Sequence, residues 1–155
     1  MQALPEYPPS YFLKFSEKPV DLIPYDPSSV TFAQQLVTEL DETMSGLRAD
    51  VVHSGSTRLG IIGKGEVELV IYTEDSSWSD VLNRLTSRYG KPGRADDTYA
   101  RFNGVDSNRE FEVIALSGYR ARVDKALTQH LLDNPDKLRE YERIKRQYAY
   151  SYREY

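Results

Sequence analysis

Two segments decide the fold of this chain: Val51-Val52-His53-Ser54-Gly55-Ser56-Thr57, and Glu66-Val67-Glu68-Leu69-Val70-Ile71-Tyr72-Thr73. Between Gly55-Ser56 and Glu66 lie the nine residues 57–65. The second segment concentrates β-branched and aromatic residues and reads as the clearest strand of the chain. Val51-Val52 reads as a short strand that runs into the Gly-Ser turn. A glycine there admits positive φ and a close backbone approach. The hydroxyls of Ser54, Ser56 and Thr57 and the backbone N–H groups then share one turn, which suits a triphosphate.

Glu66 and Glu68 stand at i and i+2, so both carboxylates leave one face of the strand, about 6.5–7 Å apart at Cα. Such a pair can bridge Mg²⁺, a hard cation that prefers oxygen, and Mn²⁺ accepts the same ligands. A third carboxylate on an adjacent strand completes a two-metal site. Glu112, an acid inside the apolar run Phe111-Glu112-Val113, is the candidate, with Glu110 in reserve. The catalytic and metal-binding candidates are therefore Glu66, Glu68 and Glu112. The phosphate-binding candidates are Gly55, Ser56, Thr57 and Lys64. His53 reads as a strand-end histidine in preference to a base. The matching chemistry is nucleotidyl transfer, with an NTP as substrate and pyrophosphate leaving.

Outward from these segments the pattern is mixed α and β. Residues 1–18 are rich in proline and aromatics and read as an extended arm that packs on the body or on a second subunit. Residues 19–155 read as a single domain. Pro19 to Tyr25 alternates between prolines and suggests an edge strand. From Val30 to Leu47 apolar residues recur at helical spacing, and Ser77 to Tyr89 repeats the pattern. Thr98–Phe102 and Glu110–Leu116 suggest antiparallel strands, turning at Asn103-Gly104 or Asp106-Ser107. Two helices close the chain, one from Tyr119 to Leu132. The second opens at Asn134, a good N-cap, followed by Pro135. This order predicts an α/β (α+β) fold with a short mixed sheet flanked by helices.

Composition narrows the function classes. The chain has 155 residues, no cysteine and a formal net charge of −4. Without cysteine there is neither a disulfide nor a thiolate zinc site. The acidic balance argues against a bulk nucleic-acid or anionic-membrane binder. No apolar run approaches the roughly 18 residues of a span. The N-terminus carries no secretory pattern, so the expected location is the cytoplasm. Tyr148, Tyr150 and Tyr152 interleave with Arg139, Arg143, Lys145, Arg146 and Arg153, which would suit single-stranded RNA. Glu140, Glu142 and Glu154 offset that charge, and the spacing of Tyr141, Tyr148 and Tyr152 fits a packed helical stripe instead.

The Gly55-Ser56, gap, Glu66-Val67-Glu68-Leu69 arrangement resembles the signature of the nucleotidyltransferase superfamily. More narrowly the chain resembles the GrpB family. The likeness rests on Pro24-Tyr25-Asp26-Pro27, His53 with Gly55-Ser56-Thr57, Lys64, and Leu131, Asn134, Pro135, Tyr141 and Lys145. It spans roughly residues 20 to 155. The chain departs from the family in having Gly65 after that lysine, glutamates as the principal acids, and Glu110-Phe111-Glu112-Val113 where a histidine-rich strand is usual. The resemblance implies a nucleotidyltransferase-like fold with two C-terminal helices and assigns no substrate. Two functions follow as expectations. One is a Mg²⁺-dependent transfer of NMP to a hydroxyl of a small molecule or protein. The alternative is a catalytically inactive nucleotide-binding or oligomerising adaptor.

Overall fold

The computed structural model describes residues 7–155. The first six residues of the expected arm lie outside the described residues. Within its remainder, Pro9–Phe12 forms one turn of helix, α1. Proline is tolerated there because the first helical N–H has no partner to lose.

Helix α2, Ser28–Thr43, starts two residues earlier and stops four earlier than its apolar period suggests. Asp26 sets the start by accepting from the Ser28 N–H at 2.9 Å and the Ser28 hydroxyl at 2.6 Å. These bonds hold its carboxyl below the usual range. The remaining elements are β1 (Ala49–Ser54), α3 (Gly55–Leu59), β2 (Val67–Thr73), α4 (Trp78–Tyr89), β3 (Arg94–Ala95), β4 (Tyr99–Asp106), β5 (Arg109–Ser117), α5 (Gly118–Asp133) and α6 (Pro135–Tyr148). The strands form one five-stranded mixed sheet in the order β1-β2-β5-β4-β3. Only β2 and β5 run parallel.

Residues directly opposite across a sheet share a face, so the register sorts the side chains into two layers. One face carries Val51, Leu69, Val113 and Phe102. It packs on α2 and α4 through Leu36, Leu40, Val81 and Leu85, all buried. This is the main core. The other face is split. Toward one end Val70, Tyr72 and Leu116 pack beneath Ala121 of α5. Toward the other end Ser54, Glu68, Glu112 and Asn103 form a polar row across four strands.

Several expectations are corrected. Pro19 to Tyr25 is not a strand among the described residues. It makes only a bridge between Ile23 and Gly63, since Pro19 and Pro24 have no N–H to donate. The β4–β5 turn falls at Ser107-Asn108, both with positive φ, and not at Asn103-Gly104. Gly104 stays within β4 because a Cβ there would fall 2.2 Å from the Phe111 ring. Arg94–Ala95 adds a short strand, β3, that the sequence pattern did not suggest. Asn134 does not cap α6 with its side chain. The amide donates instead to the His130 carbonyl at 2.8 Å. Tyr152 lies beyond the end of α6, and that helix buries no residue, so the three tyrosines are not a packed stripe. No described helix is long and apolar enough to cross a membrane.

Candidate functional site

The turn after β1 becomes the short helix α3, which no side chain caps. Gly55 takes φ +69°, and its missing Cβ would sit 3.1 Å from the Cβ of Glu68. Glycine thus lets the α3 start press against the acidic strand. Glu68 is opposite Ser54 on β1 and opposite Glu112 on β5. Glu112 therefore stands on the adjacent strand and shares the face of Glu68.

A cavity of about 240 Å³ opens above this row. Its floor holds Ser54, Gly55, Ser56, Lys64, Glu66 and Glu68. Its roof comes from α5 and α6, through Asp124, Thr128, Leu131, Tyr141 and Lys145, with Tyr155 beyond. Helix α6 is fixed there by two contacts. Glu142 accepts from the Ile62 N–H at 3.1 Å, and Lys145 Nζ donates to Ser56 Oγ at 2.5 Å. Two further cavities adjoin. One of about 510 Å³ shares Ser56, Lys64 and Glu66. One of about 400 Å³ shares Lys64 and Glu66 and holds Glu112. Lys64 and Glu66, paired at 3.1 Å, stand where the three spaces meet.

Electrostatics distinguish the acids. Burial pushes the Glu68 carboxyl up to about 7, helped by the like charges of Glu112 and Asp124. Glu112 faces the Arg101 guanidinium at 3.8 Å. Burial lowers Lys145 while Glu68 opposes that shift. The Tyr72 hydroxyl donates to Asp124 Oδ2 at 2.6 Å.

Of the residues picked out in sequence, Gly55, Ser56, Lys64, Glu66 and Glu68 converge on the first cavity. Glu112 lies beside Glu68 in the sheet but opens to the neighbouring space. Thr57 does not line the first cavity: it is buried, 2.8 Å from His53 Nε2, and borders the adjoining cavity of about 510 Å³. Asp124, Tyr141, Lys145 and Tyr155 had no place in the sequence-derived site. Only Tyr141 and Lys145 carried a signal, their spacing of four on one helix face. The basic residues of α6 are largely paired on their own helix, Arg139 with Asp136, Lys137 with Glu140 and Arg146 with Glu142. That pairing leaves little of an RNA-binding stripe.

Among the described residues no three His, Asp or Glu are grouped closely enough to hold a metal ion alone. Mg²⁺ commonly takes one or two carboxylates and fills its shell with water and substrate phosphates. Glu68, with Glu66 or Glu112 beside it, offers the two carboxylates that such an ion would take from the protein.

This sheet and its helices are the nucleotidyltransferase-like fold. The structure is similar to that of the conserved protein GrpB from Enterococcus faecalis, with a TM-score of 0.62 and 18% identity over 82% of this chain and 81% of that one. It is also similar to the Cid1 poly(U) polymerase bound to MgATP, at TM-score 0.51 and 12% identity over 79% of this chain. A cytoplasmic RNA terminal U-transferase matches at TM-score 0.50 and 12% identity over 91% of this chain. The chain spans only 39% and 40% of those last two proteins. At these identities the likeness establishes the fold. No family model matches the chain, and no curated protein matches it in sequence.

Proposed function

We propose that the chain is a nucleotidyltransferase that moves NMP from an NTP to a hydroxyl acceptor, with Mg²⁺ entering on the triphosphate. The observation that carries this reading is the register of Glu68 with Glu112, with Glu68 lining the same cavity as Ser56 and its Lys145 partner. Ser56, Lys145 and Lys64 hold the phosphates. Glu66 and Glu68 are the metal ligands, and Glu112 completes them or takes the acceptor proton. When bound, Mg²⁺ neutralises phosphate charge and acidifies the attacking hydroxyl. The acceptor oxygen bonds to the α-phosphorus, the bond from that phosphorus to the bridging oxygen breaks, and pyrophosphate departs with the electron pair.

The test is incubation with ATP labelled at the α-phosphate, Mg²⁺ and a panel of hydroxyl acceptors, beside Glu68→Ala. Label transferred by the wild type and lost in the variant is the expected result. Equal labelling by both, or none by either, counts against it.

One observation favours the adaptor reading. Glu66 and Glu112, two of the three proposed ligands, each face a cation of the protein itself, Lys64 and Arg101. A module that kept the fold and bound nucleotide without a metal would look this way. Calorimetry separates the two: ATP affinity that does not change when Mg²⁺ is withheld supports the adaptor.

A further inference from the structure

The roof of the 240 Å³ cavity carries side chains that the phosphate and metal chemistry leaves unused. Asp124, Leu127, Thr128 and Leu131 fall at i, i+3, i+4 and i+7 of α5, so one stripe of that helix faces the cavity. Tyr141 lines the same space from α6, and Tyr155 from beyond it. The slot between them is aliphatic on one side and aromatic on the other. A flat ring fits such a slot, since any base can stack on an aromatic side chain.

Asp124 is the polar group in this slot with a fixed direction. Tyr72, on the sheet beneath, donates to its Oδ2 at 2.6 Å. Burial and this bond raise the Tyr72 pKa, which keeps the phenol protonated as a donor. Oδ1 is then the oxygen left to accept a hydrogen bond from a ligand. Thr128, one helical turn along, can donate or accept.

We infer that this slot holds the base of the triphosphate, and that Asp124 reads it by accepting a hydrogen bond from an exocyclic amine. Adenine, guanine and cytosine carry such an amine; uracil does not. The N3–H of uracil is flanked by carbonyl oxygens, which bring like partial charge toward the carboxylate. An acceptor left without its matching donor costs affinity, because the partly buried carboxylate oxygen stays unpaired. Base choice is therefore set by this chain's own α5. It is not carried over from U-specific proteins of the same fold. The inference rests on the nucleotide reading above.

The experiment is titration calorimetry with Mg²⁺ and five ligands: ATP, GTP, CTP, UTP and inorganic tripolyphosphate. Wild type, Asp124→Asn and Thr128→Val are compared, with circular dichroism to confirm folding. The wild type is expected to bind each amine-bearing nucleotide at least about tenfold more tightly than UTP. Asp124→Asn should shrink that ratio to about threefold or less, because an amide can also donate, and should not weaken tripolyphosphate binding, since it removes a negative charge from the same cavity. If Asp124→Asn does not fold, a reduced ratio in Thr128→Val supports the slot and an unchanged ratio overturns it. Equal affinity for all four nucleotides, or a ratio that survives Asp124→Asn, overturns the inference while the nucleotide reading stands. Binding of none of the five ligands overturns both.

Discussion

Lys145 Nζ donates to Ser56 Oγ at 2.5 Å, joining the last helix to the turn after β1 across 89 residues of chain. The ammonium group lies between two rings, 5.4 Å from Tyr141 and 5.1 Å from Tyr155, and is partly buried. Its charge is opposed by Glu68, whose negative charge favours the protonated lysine. A cation held against a hydroxyl on the floor of a cavity is in place to receive an anion.

Lys145→Met keeps most of the stem and removes the charge. Its affinity for tripolyphosphate and for MgATP should fall by about tenfold or more, since charge-assisted hydrogen bonds to phosphate are among the strong ones. Titration calorimetry measures this. Unchanged affinity for both ligands would remove Lys145 from the phosphate site.

Gly55 joins β1 to α3 and lets that turn lie against the acidic strand. Its φ of +69° is unfavourable for a residue with a side chain, and a Cβ would approach Glu68 Cβ to 3.1 Å. Gly55→Ala should cost about 1–2 kcal/mol from these two effects together. Thermal denaturation should show the melting temperature lowered by several degrees. A melting temperature equal to the wild type would mean that the turn can relax without moving Glu68.

Much of the architecture could be read from sequence because local pattern and burial agree there. The strand at Glu66 to Thr73 is misplaced by a single residue, since its β-branched run is also the centre of the sheet. Helices α2 and α4 follow from their apolar period for the same reason. The floor of the site was legible too: Gly55, Ser56, Lys64, Glu66 and Glu68 are close in sequence. The roof was not. Asp124 and Lys145 reach the cavity only because α5 and α6 lie over the polar face of the sheet, and no local pattern encodes that docking. The alternation rule put Glu66 and Glu68 on one face but could not show that Lys64 engages Glu66. The glycine at 104 read as a turn because its reason, the Phe111 ring, sits on another strand.

Glu68 should destabilise the protein above neutral pH. Its carboxyl titrates near 7 in the folded protein against 4.5 ordinarily. The folded state therefore binds this proton more tightly than the unfolded state does. The stability that depends on the proton is fully present below pH 4.5 and is lost as pH rises through 7. In chelated buffer at pH about 8, Glu68→Gln should be more stable than the wild type by about 1–2 kcal/mol, with the gap closing toward pH 4. Urea denaturation across that range measures it. If the same variant also loses nucleotide transfer, stability and function are opposed at this residue, as expected of a working site. A variant less stable than the wild type at every pH would mark Glu68 as structural.

His53 has the opposite dependence. It stands on the core face of β1, 2.8 Å from the Thr57 hydroxyl, and burial followed by the charge of Arg58 lowers it to about 4 from 6.5. The folded state favours neutral imidazole, so the contribution is complete above pH 6.5 and is lost as pH falls toward 4. The side chain keeps part of its hydration, which reduces the effect to about 1 kcal/mol. His53→Gln cannot titrate. Its deficit relative to the wild type at pH 7 should therefore shrink by about 1 kcal/mol at pH 4.5. Paired urea titrations at the two pH values decide the matter. Comparing the difference between the proteins, and not either curve alone, cancels the other groups that titrate in this range, Glu68 among them. A deficit that stays constant from pH 7 to 4.5 would mean that the imidazole accepts its proton in the folded state, and that Thr57 is not held by a neutral ring.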